Sequence, residues 1–266
     1  MQRVFYPEGP APDGILPCEA YALHPPGGLV TGDVLEAEAE CGPGAKALVT
    51  SPAAAKFYRA KGSCGFQSQS FRGRAAGPGA ELEHLPPEAI VFSGARALQE
   101  ATYEVSDGGS LIAWGTVLLG RAAAGEAFER GSYRETLRVF RDGRLALFER
   151  LDVAGFLEGG GSGVLASPLG LASRPVVSSF LALGPESPGV AARLSGALAA
   201  LRDVGSAGGG EGYPEFRGAT LRDGILVARS AGGCVQAAER YNRAAWALVR
   251  PALLGREAAH PRIWRT

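Results

Sequence analysis

The side chains best suited to hold a transition metal are three histidines and four cysteines, and their spacing argues against a fixed site. His24, His84 and His260 are far apart, and Cys18, Cys41, Cys64 and Cys234 form no C-x-x-C pair. No H-E-x-x-H or H-x-H occurs, although a structural or catalytic zinc needs ligands clustered in this way. His84, between Glu83 and Leu85 in a strand-like run, reads as an ordinary packed or solvated residue. For nucleophilic chemistry, Gly160-Gly161-Ser162-Gly163-Val164 lacks the last glycine of a G-x-S-x-G elbow and reads as a linker. The segment His24-Pro25-Pro26-Gly27-Gly28 to Gly32-Asp33 lacks the phosphate-cradle order, and it precedes a strand instead of a helix N-terminus. It reads as a rigid turn. Lys56 and Arg59 flank Phe57 and Tyr58, a pairing able to stack on nucleic acid. An interfacial loop with snorkelling cations is the preferred reading.

The elements that must position these groups are mostly short strands. Val34 to Glu40 alternates with three glutamates on one face, as does Ala101 to Ser106 before a turn at Asp107-Gly108-Gly109. Leu111-Ile112-Ala113-Trp114 suits a strand buried on both faces. Asp142-Gly143 predicts a hairpin between Leu137–Phe140 and Leu145–Phe148, and Asp223-Gly224 repeats the signal. Two segments change period. Val190, Leu194, Ala197, Leu198 and Leu201 predict a helix near 190–203 after Pro188-Gly189. Cys234, Ala238, Tyr241, Ala245 and Val249 predict a second near 232–249, ending before Pro251, with Arg240, Asn242 and Arg243 on its polar face. Gly159–Gly163 and Gly205–Gly212 read as surface loops, and no regular repeat points to a perfect solenoid. The pattern is mainly β, with two α-helices in the C-terminal third and no βαβ alternation.

Composition narrows the function. The chain has 266 residues, 46% of them hydrophobic, enough for a real core. Its 27 basic and 27 acidic residues leave no basic excess for non-specific nucleic-acid binding. No run approaches the ~18 apolar residues of a membrane span, and no apolar leader follows Met1. The expectation is a cytoplasmic protein with reduced thiols and no membrane or nucleic-acid partner. A net charge of zero and a mean hydropathy of +0.03 predict poor solubility alone and a lasting partner. Residues 217–266 carry nine arginines against Asp223, Glu239 and Glu257, a local positive surface.

Several segments, in order, resemble the UreD (UreH) type of urease accessory protein. They run from Phe5-Tyr6-Pro7-Glu8 through His24-Pro25-Pro26-Gly27-Gly28-Leu29-Val30 with Gly32-Asp33, and Ala54-Ala55-Lys56-Phe57-Tyr58-Arg59. Leu85-Pro86-Pro87-Glu88-Ala89-Ile90, Leu119-Gly120-Arg121 with Gly125-Glu126, and Glu149-Arg150-Leu151 follow. The resemblance closes at Pro261-Arg262-Ile263-Trp264-Arg265-Thr266. It implies one domain over 1–266 with an irregular β-helix, solenoid-like, and two helices. Family members usually carry roughly two further strands before Gln2-Arg3, so it also implies a shortened product or misplaced start, with an open strand edge.

The function implied is that of a non-enzymatic chaperone. It would bind UreF, through it the UreG GTPase, and urease apoprotein, with nickel(II) in transit and no tightly bound cofactor. Asp33 and Glu149 match acidic positions of the family's metal path, with Glu126 a third candidate. Against this, Asp33 also reads as a turn cap after Gly32, and Glu149 as an ion-pair partner of Arg150 or Arg138. Relatives can carry an acid after the tryptophan matching Trp114, where this chain has Gly115. Carboxylates hold nickel less selectively than imidazole or thiolate, which suits passage better than storage. Tyr241, Trp246, Arg250, Leu254, Arg262 and Trp264 offer the aromatic and arginine anchors of a partner surface, against which Trp246 and Trp264 also read as core packing. The competing classes are a carbohydrate-active β-solenoid, which needs paired carboxylates and aromatic platforms, and a purely structural one.

Overall fold

The computed structural model describes residues 3–62, 65–155, 163–205 and 212–265. In chain order its strands are β1 (Cys18–Tyr21), β2 (Val34–Cys41), β3 (Lys46–Thr50), β4 (Ala55–Phe57), β5 (Gln67–Ala76), β6 (Glu81–His84) and β7 (Ala89–Val91). Then come β8 (Arg96–Ser106), β9 (Ser110–Leu119), β10 (Ser132–Arg141), β11 (Arg144–Ala154) and β12 (Val176–Leu183). Helix α1 (Pro188–Asp203), β13 (Phe216–Arg222), β14 (Ile225–Gly232) and helix α2 (Val235–Leu254) complete the order.

The chain winds. β2, β5, β8 and β10 pair in parallel, with β11 antiparallel on β10, giving a five-stranded sheet. β1, β3, β6 and β9 stack in parallel opposite it, while β4 and β7 stack onto the far half of β9. Each passage from one sheet to the other is one coil of a solenoid, which is the expected architecture. The coils differ in length, with β2, β5 and β8 spanning 8, 10 and 11 residues. That inequality is why no fixed period is visible in the sequence. β12, β14 and β13 then extend the second sheet with antiparallel pairing. Both hairpin turns form as expected, with Asp142 and Gly143 at φ 48° and 74° and Asp223 and Gly224 at φ 50° and 70°.

Alternation along β9 assigns the two faces of the central strand. Ile112 and Trp114 face a core shared with the helices, whereas Leu111, Ala113, Val117 and Leu119 face the solenoid interior. α1 buries the five apolar residues of the predicted stripe and starts where Ser187 caps the Val190 amide at 3.2 Å. α2 differs from expectation at both ends. Cys234 is an exposed N-cap, and the helix runs through Pro251 to Leu254 before Gly255 ends it at φ 69°. Pro251 lacks the amide that would bond the Ala247 carbonyl, and burial of Leu253 and Leu254 offsets that loss. Asn242, expected on the polar face, is buried against β9 and β12 through Thr116 and Ser178. The glycine-rich stretches expected as loops lie largely outside the described residues.

Candidate functional site

The three acids expected on a metal path stand on different elements. Asp33 closes the turn before β2, where its Oδ2 accepts the Val30 amide at 2.8 Å and its own amide donates to the Val30 carbonyl at 3.0 Å. The turn-cap reading therefore describes its bonding. Glu126 follows β9, accepts the Ser93 amide at 2.8 Å and pairs with Arg121. Burial pushes its carboxyl up, but Arg121 and the Ser93 amide outweigh this and hold it below the ordinary range.

Glu149 on β11 pairs with Arg229 on β14, joining the two sheets at one end of the stack. The expected partners are elsewhere: Arg150 pairs with Asp152 and Arg138 with Glu100. Strand alternation is the reason. Glu149 lies opposite Leu137 on the interior face, and Arg150 and Arg138 belong to the other face. Among the described residues, no three His, Cys, Asp or Glu side chains group closely enough to hold a metal ion.

A row of polar residues that sequence reasoning missed crosses the interior. Gln69 on β5, Gln99 on β8 and Glu135 on β10 are register partners on three adjacent strands. Opposite them on the second sheet, Gly115, Ser179 and Arg229 are register partners on β9, β12 and β14. The row separates two apolar clusters, one around Leu111, Ala113, Leu137 and Val139, the other around Val117, Leu119, Tyr133 and Val153. Those flanking residues are buried, whereas Gln69, Gln99, Glu135, Ser179 and Glu149 are half-buried. The sequence signal is the interior alternation Tyr133-x-Glu135-x-Leu137-x-Val139, in which one position is charged. Beside the row, His84 stacks on Phe71 with ring centroids 3.5 Å apart, and its Nδ1 lies 2.7 Å from the Tyr103 hydroxyl.

The proposed partner anchors divide by burial. Tyr241, Trp246, Arg250 and Leu254 are buried, so in this structure they face the chain's own core instead of an open surface. Their helix reads as amphipathic, but its second side meets acids. Trp246 donates to Glu83 at 2.7 Å, and Arg250 bonds both Glu83 and Glu8. Trp264 is half-buried, its ring tilted 5.5 Å from that of Trp114 and edge-on 5.6 Å from that of Trp246, and it donates to Thr50 Oγ1 at 3.0 Å. Arg262 is exposed. Among the described residues, no helix is long and apolar enough to cross a membrane.

Fold and site together define a β-solenoid braced by two helices, with polar groups running along its interior. The sequence model of the family described as UreD urease accessory protein matches residues 1–265. The chain belongs to that family. It is 40% identical to the urease accessory protein UreD of Azoarcus sp. (strain BH72), covering all of this chain and 85% of the relative. The proteins of that name from Nitrosococcus oceani and Dechloromonas aromatica are 37% and 39% identical, with all of this chain and 81% and 85% of each relative covered.

Proposed function

We propose that this chain is a urease assembly factor of the cytoplasm that binds UreF, and through it UreG, docks on urease apoprotein and helps nickel reach the active site. Membership of the urease accessory family along the whole chain is the observation that carries this reading. The role is that of a scaffold, not a catalyst. Its chemistry favours transit: carboxylates and amide oxygens bind nickel weakly and unselectively, so an ion that enters can also leave. On this reading Asp33 and Glu149 touch the ion in passage, and Glu149 does so when its carboxylate exchanges Arg229 for the cation.

The exposed Arg262 with the half-buried Trp264 is the part of the proposed anchor set open to a partner. Deleting residues 251–266 would also remove Arg256, which pairs with Glu81 and Glu83, so a point substitution is the cleaner probe. Arg262→Glu is expected to reduce co-purification with UreF.

The test is co-expression with a urease operon. Asp33→Ala combined with Glu149→Ala should lower the nickel content of urease while the accessory complex still assembles. Wild-type nickel loading in that double variant would overturn the path. Urease activation without this chain would leave a purely structural solenoid.

A further inference from the structure

Where the β13–β14 turn meets the start of α1, a cleft of about 270 Å³ opens beside Arg141, the last residue of β10. Neither the proposed metal path nor the partner anchors include it. Pro185, Pro188, Val190 and Ala191 form apolar walls. The volume is small for a drug-sized ligand and suits a short molecule or the end of a chain.

Arg141 is a buried cation with an exposed partner. Its side chain is 10% exposed, and the only carboxylate paired with it among the described residues, Glu186, is 73% exposed. Glu186 gives one oxygen to Nη1 at 3.0 Å. The carbonyls of Asp223 and Gly224 accept from Nη1 at 2.6 Å and Nη2 at 3.3 Å, so the turn braces the guanidinium. The Nε group is buried with no hydrogen-bond partner. A guanidinium carries five N–H donors in a planar fork matched to an oxyanion, and this one has donors to spare. A buried N–H without an acceptor is uncommon and asks for an explanation.

The surroundings favour a single negative charge. No acid stands in the first turn of α1, whose Ser187, Pro188 and Val190 border the cleft, so the positive end of the helix dipole is open there. Asp223 keeps its carboxylate in solvent, 84% exposed, beside Arg222. A dianion would be repelled by Glu186 and Asp223, whereas one carboxylate that displaces Glu186 leaves the charge balance at Arg141 unchanged.

We infer that this cleft binds a carboxylate with an apolar remainder, its oxygens replacing Glu186 on Arg141 and its remainder lying against Pro185, Pro188, Val190 and Ala191. Glu186 is the internal competitor for the same donors. Two sources carry this chemistry, a small free acid and the C-terminal end of a peptide. The inference does not depend on the proposed role in urease assembly.

The test titrates the full chain by calorimetry. The probes are isovalerate and a tetrapeptide ending in leucine, the peptide both as free acid and as C-terminal amide. An acid form should bind and the amide should not. Glu186→Gln removes the competitor from an exposed position and should tighten acid binding severalfold. Arg141→Gln removes the receiving charge and should weaken it about tenfold. Because Arg141 also braces the Asp223–Gly224 turn, Ala191→Phe supplies an independent arm. It fills the cleft, leaves the charges alone and should abolish binding. Binding of the peptide but not isovalerate assigns a chain end as the ligand, and the reverse assigns a free acid. No heat from either acid at about 10 mM would overturn the inference. Equal binding of amide and free acid would do so too, as would acid binding unmoved by both Glu186→Gln and Arg141→Gln.

Discussion

Glu83 of β6 and Arg250 of α2 meet at 2.9 Å with neither side chain exposed to solvent. They are 167 residues apart in sequence. Around them Glu8, Glu81, Lys46, Asp13 and Arg256 continue a chain of ion pairs that ties the N-terminal segment and α2 to the second sheet.

Removing one member of such a pair strands the other. Arg250→Met leaves Glu83 with Trp246 and Arg256 as partners and Glu8 with the longer Arg256 contact at 4.0 Å. It is expected to cost about 3–5 kcal/mol, read as a lowered midpoint in urea unfolding. A midpoint within 0.5 M of wild type would contradict the role assigned to this pair.

Glu149 and Arg229 behave differently because solvent reaches both, with 22% and 51% of their side chains exposed. Glu149→Ala should change stability by less than about 1 kcal/mol. Any nickel-loading defect in that variant then reports on function. Thermal unfolding at two salt concentrations checks this, since the small pair contribution is screened.

His84 makes acid unfavourable to the fold. Burial lowers its pKa from 6.5 to about 3. The unfolded chain therefore takes up a proton below 6.5 that the folded protein refuses until about 3. Its contribution is fully present above 6.5 and is lost as pH falls toward 3. His84→Leu should flatten the fall in unfolding free energy between pH 6.5 and 4, measured by denaturant titration.

Gly131 fixes where β10 enters the sheet. Its φ is +96°, and a Cβ there would lie 2.1 Å from the Ala95 carbonyl oxygen. Gly131→Ala is expected to destabilise by more than about 2 kcal/mol. By disturbing the β8–β10 register it should also displace Glu135 from Gln99. Hydrogen exchange along Ser132–Arg141 measures the local effect.

Local features were legible in the sequence. The apolar stripe of α1, the Asp-Gly turns and the doubly buried β9 depend on neighbours within a few residues, and each stands where the pattern placed it. The coils were legible only through family resemblance, because parallel pairing joins residues tens of positions apart. The Glu83–Arg250 pair escaped for the same reason. On α2, Arg250 and Trp246 read as partner anchors and Asn242 as part of a polar face, yet buried acids and hydroxyls satisfy all three. Spacing alone cannot distinguish a polar side facing water from one facing a buried carboxylate. Of the metal-path candidates, Asp33 and Glu149 were readable as acids, but the inward direction of Glu149 and the row at Glu135 needed strand register.

The arginines that complete this charged chain are made late. A ribosome produces Glu8 and Glu83 well before Arg250 and Arg256, so these two acids wait unneutralised while the early windings emerge, whereas Glu81 already has Lys46. Closure of the body thus waits for α2, and a nascent chain halted before it carries an anionic seam where the finished molecule has its lock.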